Sequence, residues 1–283
     1  MIERALLNEN TVTVVGTLVD ASANASTSKD GNDYVRGKVS IKSNGKTIEL
    51  NFFTMKMTKT GAVSKLYNTY MTLGDLKGKR VEVTGYIDEA KVPTNGTIRR
   101  GNSLYLRFVK VLSDTDTTPD VASFKISGFI QEGLKAVYNE DGATIKDYNI
   151  VVGQSDYKRE QAKQFRFNVD PANQAAIDGM NQKFTVGTSA VFAGNLEFDI
   201  ETKVTQIEQD FGPAITKTNQ YSTKRYVITS GSVVVDDTAY TQDEIKTLLA
   251  GAAEDDKKRL SSRQGTGATV STQTRTTAQP KLI

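Results

Sequence analysis

Alternating apolar and polar positions divide most of the chain into short predicted strands, and the same succession of strands occurs twice. The first set covers Val12–Asp20, Tyr34–Ser43, Thr47–Met57, Lys79–Ile87 and Leu104–Leu112. The second set covers Phe124–Glu132, Tyr148–Gln154, Gln164–Val169, Ser189–Leu196 and Tyr226–Val235. Both sets are rich in β-branched and aromatic residues, as is typical of strands with one buried face.

A short helix is predicted at the same place in each half, between the third and fourth strands. There the apolar period changes to helical spacing, at Val63, Leu66, Tyr67 and Tyr70 and again at Ala172, Ala175, Ala176 and Met180. Asp170 and Pro171 supply a cap and a first-turn proline for the second helix. The order of elements is therefore βββαββ, repeated once.

Glycines inside matching strands support a duplication. Gly16 and Gly85 lie 69 positions apart in the first half, and Gly128 and Gly194 lie 66 apart in the second. Glycine in a strand commonly marks a bulge or sharp bend, which a small closed barrel requires. The pattern predicts a mainly all-β protein with two tandem OB-fold barrels of five strands; two generic β-sandwiches are the alternative.

The domain boundaries follow from changes in composition. We predict a first barrel over 1–116, a linker over 117–122 and a second barrel over 123–237. Thr241 and Glu244 form a capping box that opens a C-terminal helix, predicted over 238–260. Residues 261–283 are rich in Ser, Thr, Gln and Gly, and this composition predicts a disordered tail.

The absence of Cys, His and Trp from the 283 residues narrows the possible chemistry. Without Cys and His, disulfides, thiolate nucleophiles and the usual zinc and serine-triad sites have no ligands or bases. The acidic pairs Asp236-Asp237 and Asp255-Asp256 are expected on the solvated surface. We therefore expect a protein that is not an enzyme and needs no cofactor or metal.

No apolar run approaches the roughly 20 residues of a membrane span, and the N-terminus does not resemble a secretory signal. A cytoplasmic location without membrane contact is the expectation. The net charge of +3 is unevenly distributed, because residues 1–116 carry 17 Lys and Arg against 12 Asp and Glu, whereas residues 122–235 carry 12 against 13. A polyanionic partner would therefore favour the first half.

The second predicted strand separates apolar from basic residues. Val35, Val39 and Ile41 alternate with the outward positions Tyr34, Arg36, Lys38 and Lys42. Cations that follow phosphates beside aromatic rings that stack on bases are what a single-strand groove requires. A solvated outer sheet face is the alternative explanation. The other candidates in this half are Phe53, Lys56, Lys59, Tyr105 and Arg107, with Lys91, Arg99 and Arg100 in a loop predicted over Asp88–Ser103.

Candidates in the second half are fewer. They are Tyr148, Lys158, Arg159, Arg166, Lys224 and Arg225. Three roles remain open for this barrel: weak binding of a strand, extension of the first site, or contacts with partners or a second copy. The region Glu201–Thr223 is predicted to form a hairpin excursion usable for any of them.

The duplicated strand order, the basic face and the Ser/Thr-rich tail resemble the single-stranded DNA-binding proteins of bacteriophages. The resemblance covers about residues 10–235 and is architectural. It implies coating of single-stranded DNA without sequence preference in replication, recombination or repair, with proteins of those processes as further partners. The groove residues it implies are Tyr34, Arg36, Lys38, Phe53 and Tyr105. The chain departs from related bacterial proteins in ending Lys281-Leu-Ile instead of an acidic tip, and in having no Trp.

Other functions fit the same sequence. A phage structural or assembly protein made of small β-barrels is the main rival, and an RNA-binding OB-fold protein is the second. The oligomeric state is left open by the sequence. An assembly module has no need for Tyr34, Arg36 and Lys38 in one line, and this alignment favours the nucleic-acid function.

Overall fold

The computed structural model describes residues 8–156, 159–208, 211 and 215–264. The first barrel contains five strands and a short helix, followed by a 3-10 turn over Leu73–Leu76. Its elements are β1 (Asn10–Thr27), β2 (Asp33–Ser43), β3 (Lys46–Met55), α1 (Lys65–Met71), β4 (Arg80–Thr94) and β5 (Thr97–Val111).

The second barrel repeats this succession, and a long helix follows it. The elements are β6 (Val121–Tyr138), β7 (Ile145–Asp156), β8 (Gln161–Val169), α2 (Gln174–Lys183), β9 (Ser189–Ile207), β10 (Ile215–Val233) and α3 (Gln242–Gln264). β6 begins inside the predicted linker, and α3 runs into the predicted tail, whose remaining residues 265–283 lie outside the described part of the chain.

Each half closes into a five-stranded barrel with the strand order of an OB-fold. β1 pairs antiparallel with both β2 and β4, and a parallel contact between Asn51 and Tyr105 joins β3 to β5. The same pairings recur in the second half, where Asn168 and Val227 make the parallel contact. With a helix between the third and fourth strands of each half, the architecture is two tandem OB-fold barrels, as the sequence predicts.

The matching glycines lie where two strands approach each other closely. A Cβ atom added to Gly16 or to Gly128 would lie 2.2 Å from a carbonyl oxygen of the neighbouring strand. For Gly85 and Gly194 the corresponding distances are 2.4 and 2.1 Å. Glycine at these positions therefore permits the tight curvature that closes each barrel.

The two barrels share one sheet and one core. The first half of β1 pairs antiparallel with the start of β6, from Asn10 opposite Ile126 to Val15 opposite Val121. The buried apolar side chains of both halves form a single cluster. A smaller cluster seats α3 on the second barrel, where Ile245, Leu248 and Ala252 pack against Phe129 and Ala162. The barrels are therefore held in one arrangement by backbone pairing as well as by apolar contacts. No helix among the described residues is long and apolar enough to cross a membrane.

Candidate nucleic-acid interface

The outward face of β2 is basic because the strand alternates strictly. Val35, Val39 and Ile41 are fully buried, while Arg36, Lys38 and Lys42 are exposed on the opposite face. Within the described residues, none of these three cations takes part in an ion pair. Their charges are therefore available to a ligand that lies along the strand.

β3 adds an exposed aromatic side chain directly beside this row. Phe53 lies opposite Arg36 in the antiparallel register and is 53% exposed. The ring centroids of Phe53 and Tyr34 are 5.4 Å apart, in a tilted arrangement. Exposure of a large apolar ring to water is unfavourable in free energy, and covering the ring with a ligand would be favourable. These two rings form a surface on which a planar base can stack.

The same outer face continues onto β5 and β4. Asn51 of β3 connects β2 to β5, because it pairs with Lys38 on one side and with Tyr105 on the other. Tyr105 stacks on Tyr86 of β4 with a centroid distance of 5.5 Å, and the Arg107 guanidinium lies 4.8 Å from the centre of the Tyr86 ring. Burial, together with the nearby Asp88 charge, raises the pKa of the Tyr86 hydroxyl. Tyr86 is therefore neutral at physiological pH.

A β-bulge changes which residues of β5 face outward. Gly85 pairs with Leu106 and Thr84 pairs with Phe108, so Arg107 is the extra residue. Simple alternation predicts Phe108 in the core, and this prediction is wrong: Phe108 is 61% exposed. The bulge turns Arg107 and Phe108 outward together.

We name the whole surface the basic-aromatic face. It comprises Tyr34, Arg36, Lys38, Lys42, Phe53, Tyr86, Tyr105, Arg107 and Phe108. Tyr86 and Phe108 were not among the residues predicted from the sequence. The alternation of Val81, Val83 and Ile87 on β4 could have placed Tyr86 outward, whereas the bulge that exposes Phe108 has no clear sequence signal.

Three acidic side chains near this face, those of Glu49, Asp88 and Asp33, have basic partners. Glu49 lies 3.8 Å from Lys224 and Asp88 lies 2.8 Å from Lys163, both across the barrel boundary. Lys56, a sequence candidate, forms an ion pair of 3.1 Å with Asp33. A hydrogen bond from Thr27 and one from Lys56 lower the pKa of the Asp33 carboxyl.

The region predicted as a flexible loop over Asp88–Ser103 is instead a β-hairpin. β4 and β5 pair through to Thr94 and Thr97, with a tight turn at Asn95 and Gly96, both at positive φ. Arg99 and Lys59 are exposed. Lys91 and Arg100 are not freely available to a ligand.

Lys91 and Arg100 belong to a cluster of charges that ties the hairpin to α3. The Lys91 ammonium lies 3.0 Å from Asp255 and 3.1 Å from Asp256, and its side chain is only 6% exposed. Arg100 pairs with Glu89 at 2.9 Å and also contacts Asp256. The expectation that Asp255 and Asp256 lie on the solvated surface is therefore wrong. We call these five residues the helix–hairpin ion cluster.

Burial and pairing act in opposite directions inside this cluster. Burial raises the pKa of the Glu89 carboxyl in spite of Lys91 and Arg100. For Asp255, burial alone would raise the pKa, but hydrogen bonds from Arg259 and Lys91 outweigh it and lower the value. The cluster therefore depends on Asp255 remaining ionised.

The glycine contacts and strand registers assign each position of the first barrel an equivalent in the second. The Cβ position of Gly16 meets the Lys42 carbonyl and that of Gly128 meets the Gly153 carbonyl, so Lys42 corresponds to Gly153. Counting along the paired strands from there matches Asn51 with Asn168. These are the two residues that make the parallel contacts, which confirms the register.

At these equivalent positions the second barrel has neither the cations nor the rings of the basic-aromatic face. The residue of the second barrel that is equivalent to each residue of the first is Asp147 for Arg36, Asn149 for Lys38, Gly153 for Lys42, Asp170 for Phe53, Asn195 for Tyr86 and Val227 for Tyr105. Part of the same surface of the second barrel is also covered, because α3 packs over Phe129 and Ala162. The two barrels therefore differ in surface chemistry although they share a fold.

Several candidates from the second half are engaged in other contacts. Tyr148 corresponds to Gly37 and packs against the core, so it is not an outward counterpart of Tyr34. Arg225 is held by Asp147 at 3.0 Å and Glu197 at 2.6 Å, and the hydrogen bond to Asp147 raises its pKa. The Lys224 ammonium lies 5.3 Å from the centre of the Phe198 ring.

The remaining candidates of the second half have varied positions. Arg159 and Arg166 are exposed, and Lys158 lies outside the described residues. The backbone of Arg166 is fixed by two hydrogen bonds to the Asn102 side chain, at 2.6 and 3.1 Å. Arg166 therefore lies at the junction with the β4–β5 hairpin of the first barrel.

Comparison with solved structures gives distant similarities. The single-stranded DNA binding protein from Thermus aquaticus matches with a TM-score of 0.46 and 12% sequence identity, over 82% of this chain and 96% of the other. A deletion mutant of that protein matches with a TM-score of 0.45 and 12% identity, over 83% and 97%. A replication protein A heterotrimer bound to ssDNA gives 0.21 and 10%, over 89% and 53%.

Sequence comparison assigns the family. No curated protein matches the chain. The model of the YorF family matches residues 8–264, which include both barrels and the C-terminal helix. This chain belongs to the YorF family.

Proposed function

We propose that the protein binds single-stranded DNA without sequence specificity, on the basic-aromatic face of its first barrel. Exposed cations and stacking rings lie together there on one outer sheet surface, and the residues at the equivalent positions of the second barrel are neither cationic nor aromatic. This contrast is the observation on which the proposal rests. The second barrel has the same fold without these cations and rings, so the fold does not require them. Their presence on the first barrel therefore supports a role in binding a ligand.

The chemistry of the face fits a single strand better than a duplex. Phe53 and Tyr34 present ring faces, and stacking on them requires bases that are not already stacked in a helix. Arg36, Lys38 and Lys42 follow one another along β2 at every second or fourth residue, which suits the repeated phosphates of an extended backbone. In this proposal the protein coats single strands exposed during DNA replication, recombination or repair.

Fluorescence anisotropy tests the proposal with a labelled oligothymidine, the corresponding duplex and an RNA of equal length. We expect the DNA single strand to bind most tightly. Four cations on the face, with Arg107 as the fourth, predict a loss of about 50-fold in affinity when salt rises from about 50 to about 200 mM. Absence of binding at low salt would eliminate the proposal, and equal or tighter binding of the RNA would assign the face to RNA.

A further inference from the structure

The second half of β1 has an edge with no strand beside it within the described residues. β1 pairs with β4 from Val12 to Thr17 and with β6 from Asn10 to Val15, but from Asp20 to Thr27 it pairs with β2 alone. The backbone N–H and C=O groups of the other edge are therefore open to pairing. Such an edge is a template for another strand.

This edge differs from the other strand edges that extend beyond the barrels. The outer part of β4 has Asp88, Lys91 and Pro93, that of β6 has Glu132 and Lys135, and that of β9 has Glu197 and Asp199. Charges and prolines of this kind oppose pairing with a further strand. Residues 21–27 of β1 read Ala-Ser-Ala-Asn-Ala-Ser-Thr, with no charge, no proline and no bulky side chain.

We propose that this edge pairs antiparallel with the same edge of a second copy, giving a symmetric dimer. An antiparallel pair of identical segments is self-complementary, so one surface serves both chains. The small uncharged side chains of residues 21–27 let the two backbones approach without steric or electrostatic conflict. A charged or bulky partner segment would make no favourable side-chain contacts with residues 21–27. A second copy presents the same small, uncharged side chains.

The dimer would join the two basic-aromatic faces. The two-fold axis of an antiparallel edge pair stands perpendicular to the sheet, so both outer faces point the same way. Asn24 lies opposite Arg36, which lies opposite Phe53. Pairing centred on Asn24 thus aligns the Arg36 and Phe53 side chains of both copies in one row, with the two β3 strands about 24 Å apart at ~4.8 Å per strand. This consequence rests on the proposed function, whereas the dimer itself does not.

Sedimentation equilibrium without nucleic acid tests the dimer independently of DNA binding. The 30.9 kDa chain is expected to sediment with twice its mass. Asn24→Lys and Asn24→Asp each bring like charges together at the edge and are expected to weaken dimerisation at least tenfold. An equimolar mixture of the two variants is expected to restore it, since opposite charges then meet.

Asn139→Lys is the matched control, because Asn139 is exposed in the turn after β6 of the second barrel and is not part of β1. This variant is expected to dimerise as the wild type does. A wild type that sediments as a single chain at every concentration would overturn the proposal. So would a dimer that persists unchanged in both Asn24 variants.

Discussion

Phe53 is the residue whose replacement separates stacking from charge. Phe53→Ala removes a ring that is 53% exposed, and loss of one base-stacking contact is expected to weaken single-strand binding roughly tenfold. The dependence of affinity on salt should stay nearly constant, because no charge changes. Tyr138→Ala, which removes an exposed aromatic side chain of the second barrel, serves as the control. Equal losses in both variants would contradict the assignment of the face.

Replacement of Arg36 and Lys38, unlike replacement of Phe53, should change the dependence of affinity on salt. Replacing both by Gln removes two phosphate contacts, and the slope of log affinity against log salt is expected to become shallower by about 1.4. Binding should weaken for every sequence tested. Lys146→Gln with Lys183→Gln removes two exposed cations of the second barrel and should leave the slope unchanged. An unchanged slope in the Arg36 and Lys38 variant would place the phosphate contacts elsewhere.

Gly85 tests the geometry that closes the first barrel. Gly85→Ala places a Cβ atom 2.4 Å from the Tyr105 carbonyl oxygen, and this overpacking should lower the free energy of unfolding by about 1–3 kcal/mol. Gly101→Ala on β5 is the control, since nothing lies within 4 Å of its added Cβ atom. Denaturant titration of both variants measures the difference, and similar stabilities would contradict a close approach at Gly85.

Residue-level prediction from the sequence succeeded where alternation is unbroken and failed at the bulge. Strict alternation on β2 and β3 placed Arg36, Lys38 and Phe53 outward, as the structure shows. Alternation on β5 predicts Phe108 in the core, but the extra residue Arg107 reverses the direction of the side chains that follow it, and Phe108 is exposed. The bulge is set by pairing with β4, and local sequence does not reveal it.

At the scale of elements, the helix–hairpin ion cluster is the contact that fixes the β4–β5 hairpin against α3. Asp255→Asn weakens the pairing of the buried Lys91 ammonium and should lower the free energy of unfolding by about 1–3 kcal/mol at neutral pH. Asp243→Asn on the same helix is the control, because the Asp243 side chain is 96% exposed. Equal effects of the two substitutions would show that the cluster does not contribute to stability.

The pH dependence of this effect has a definite sign. The pKa of Asp255 is lower in the folded protein than its ordinary value of 3.8, so its ionisation stabilises the fold above that pH. The stabilisation is lost as pH falls below 3.8 through the folded value. The difference in melting temperature between wild type and Asp255→Asn should therefore be constant near neutrality and shrink below pH 3.8. A difference that grows on acidification would contradict this.

The existence and order of the elements could be predicted, but their lengths could not. β1 was predicted to end at Asp20 and extends to Thr27, because residues beyond the core pair with β2 without apolar alternation. The hairpin over Asp88–Ser103 was mistaken for a loop because its polar residues gave no strand pattern. Lys91 and Arg100 are engaged by carboxylates of α3, more than 150 residues away along the chain. These contacts cannot be inferred from local sequence.

For the whole molecule, the difference between the barrels predicts one binding site per chain. A short oligothymidine, sized for a single OB-fold at about 8 nucleotides, should bind to each chain once. Titration at concentrations well above the dissociation constant measures this stoichiometry. Two oligonucleotides per chain would show that the second barrel binds as well, in spite of Asp147 and Asp170 at the positions of Arg36 and Phe53.

The sequence alone could not reveal this asymmetry in full. Net charge indicated that the first half is the more basic, and the structure places the exposed cations Arg36, Lys38 and Lys42 in one row there. The residue-by-residue equivalence required the contacts of Gly16 and Gly128 and the two parallel bridges. Only those contacts show that Tyr148 matches Gly37 and faces the core.

Photocrosslinking tests the central claim most directly, because it locates the bound strand on the protein. Halogenated pyrimidines in an oligonucleotide crosslink on irradiation to aromatic side chains stacked against them, and mass spectrometry identifies the modified peptides. We expect crosslinks at Phe53, Tyr34, Tyr105 and Tyr86, all on the first barrel. Crosslinks confined to the second barrel, or spread evenly over both, would contradict the claim.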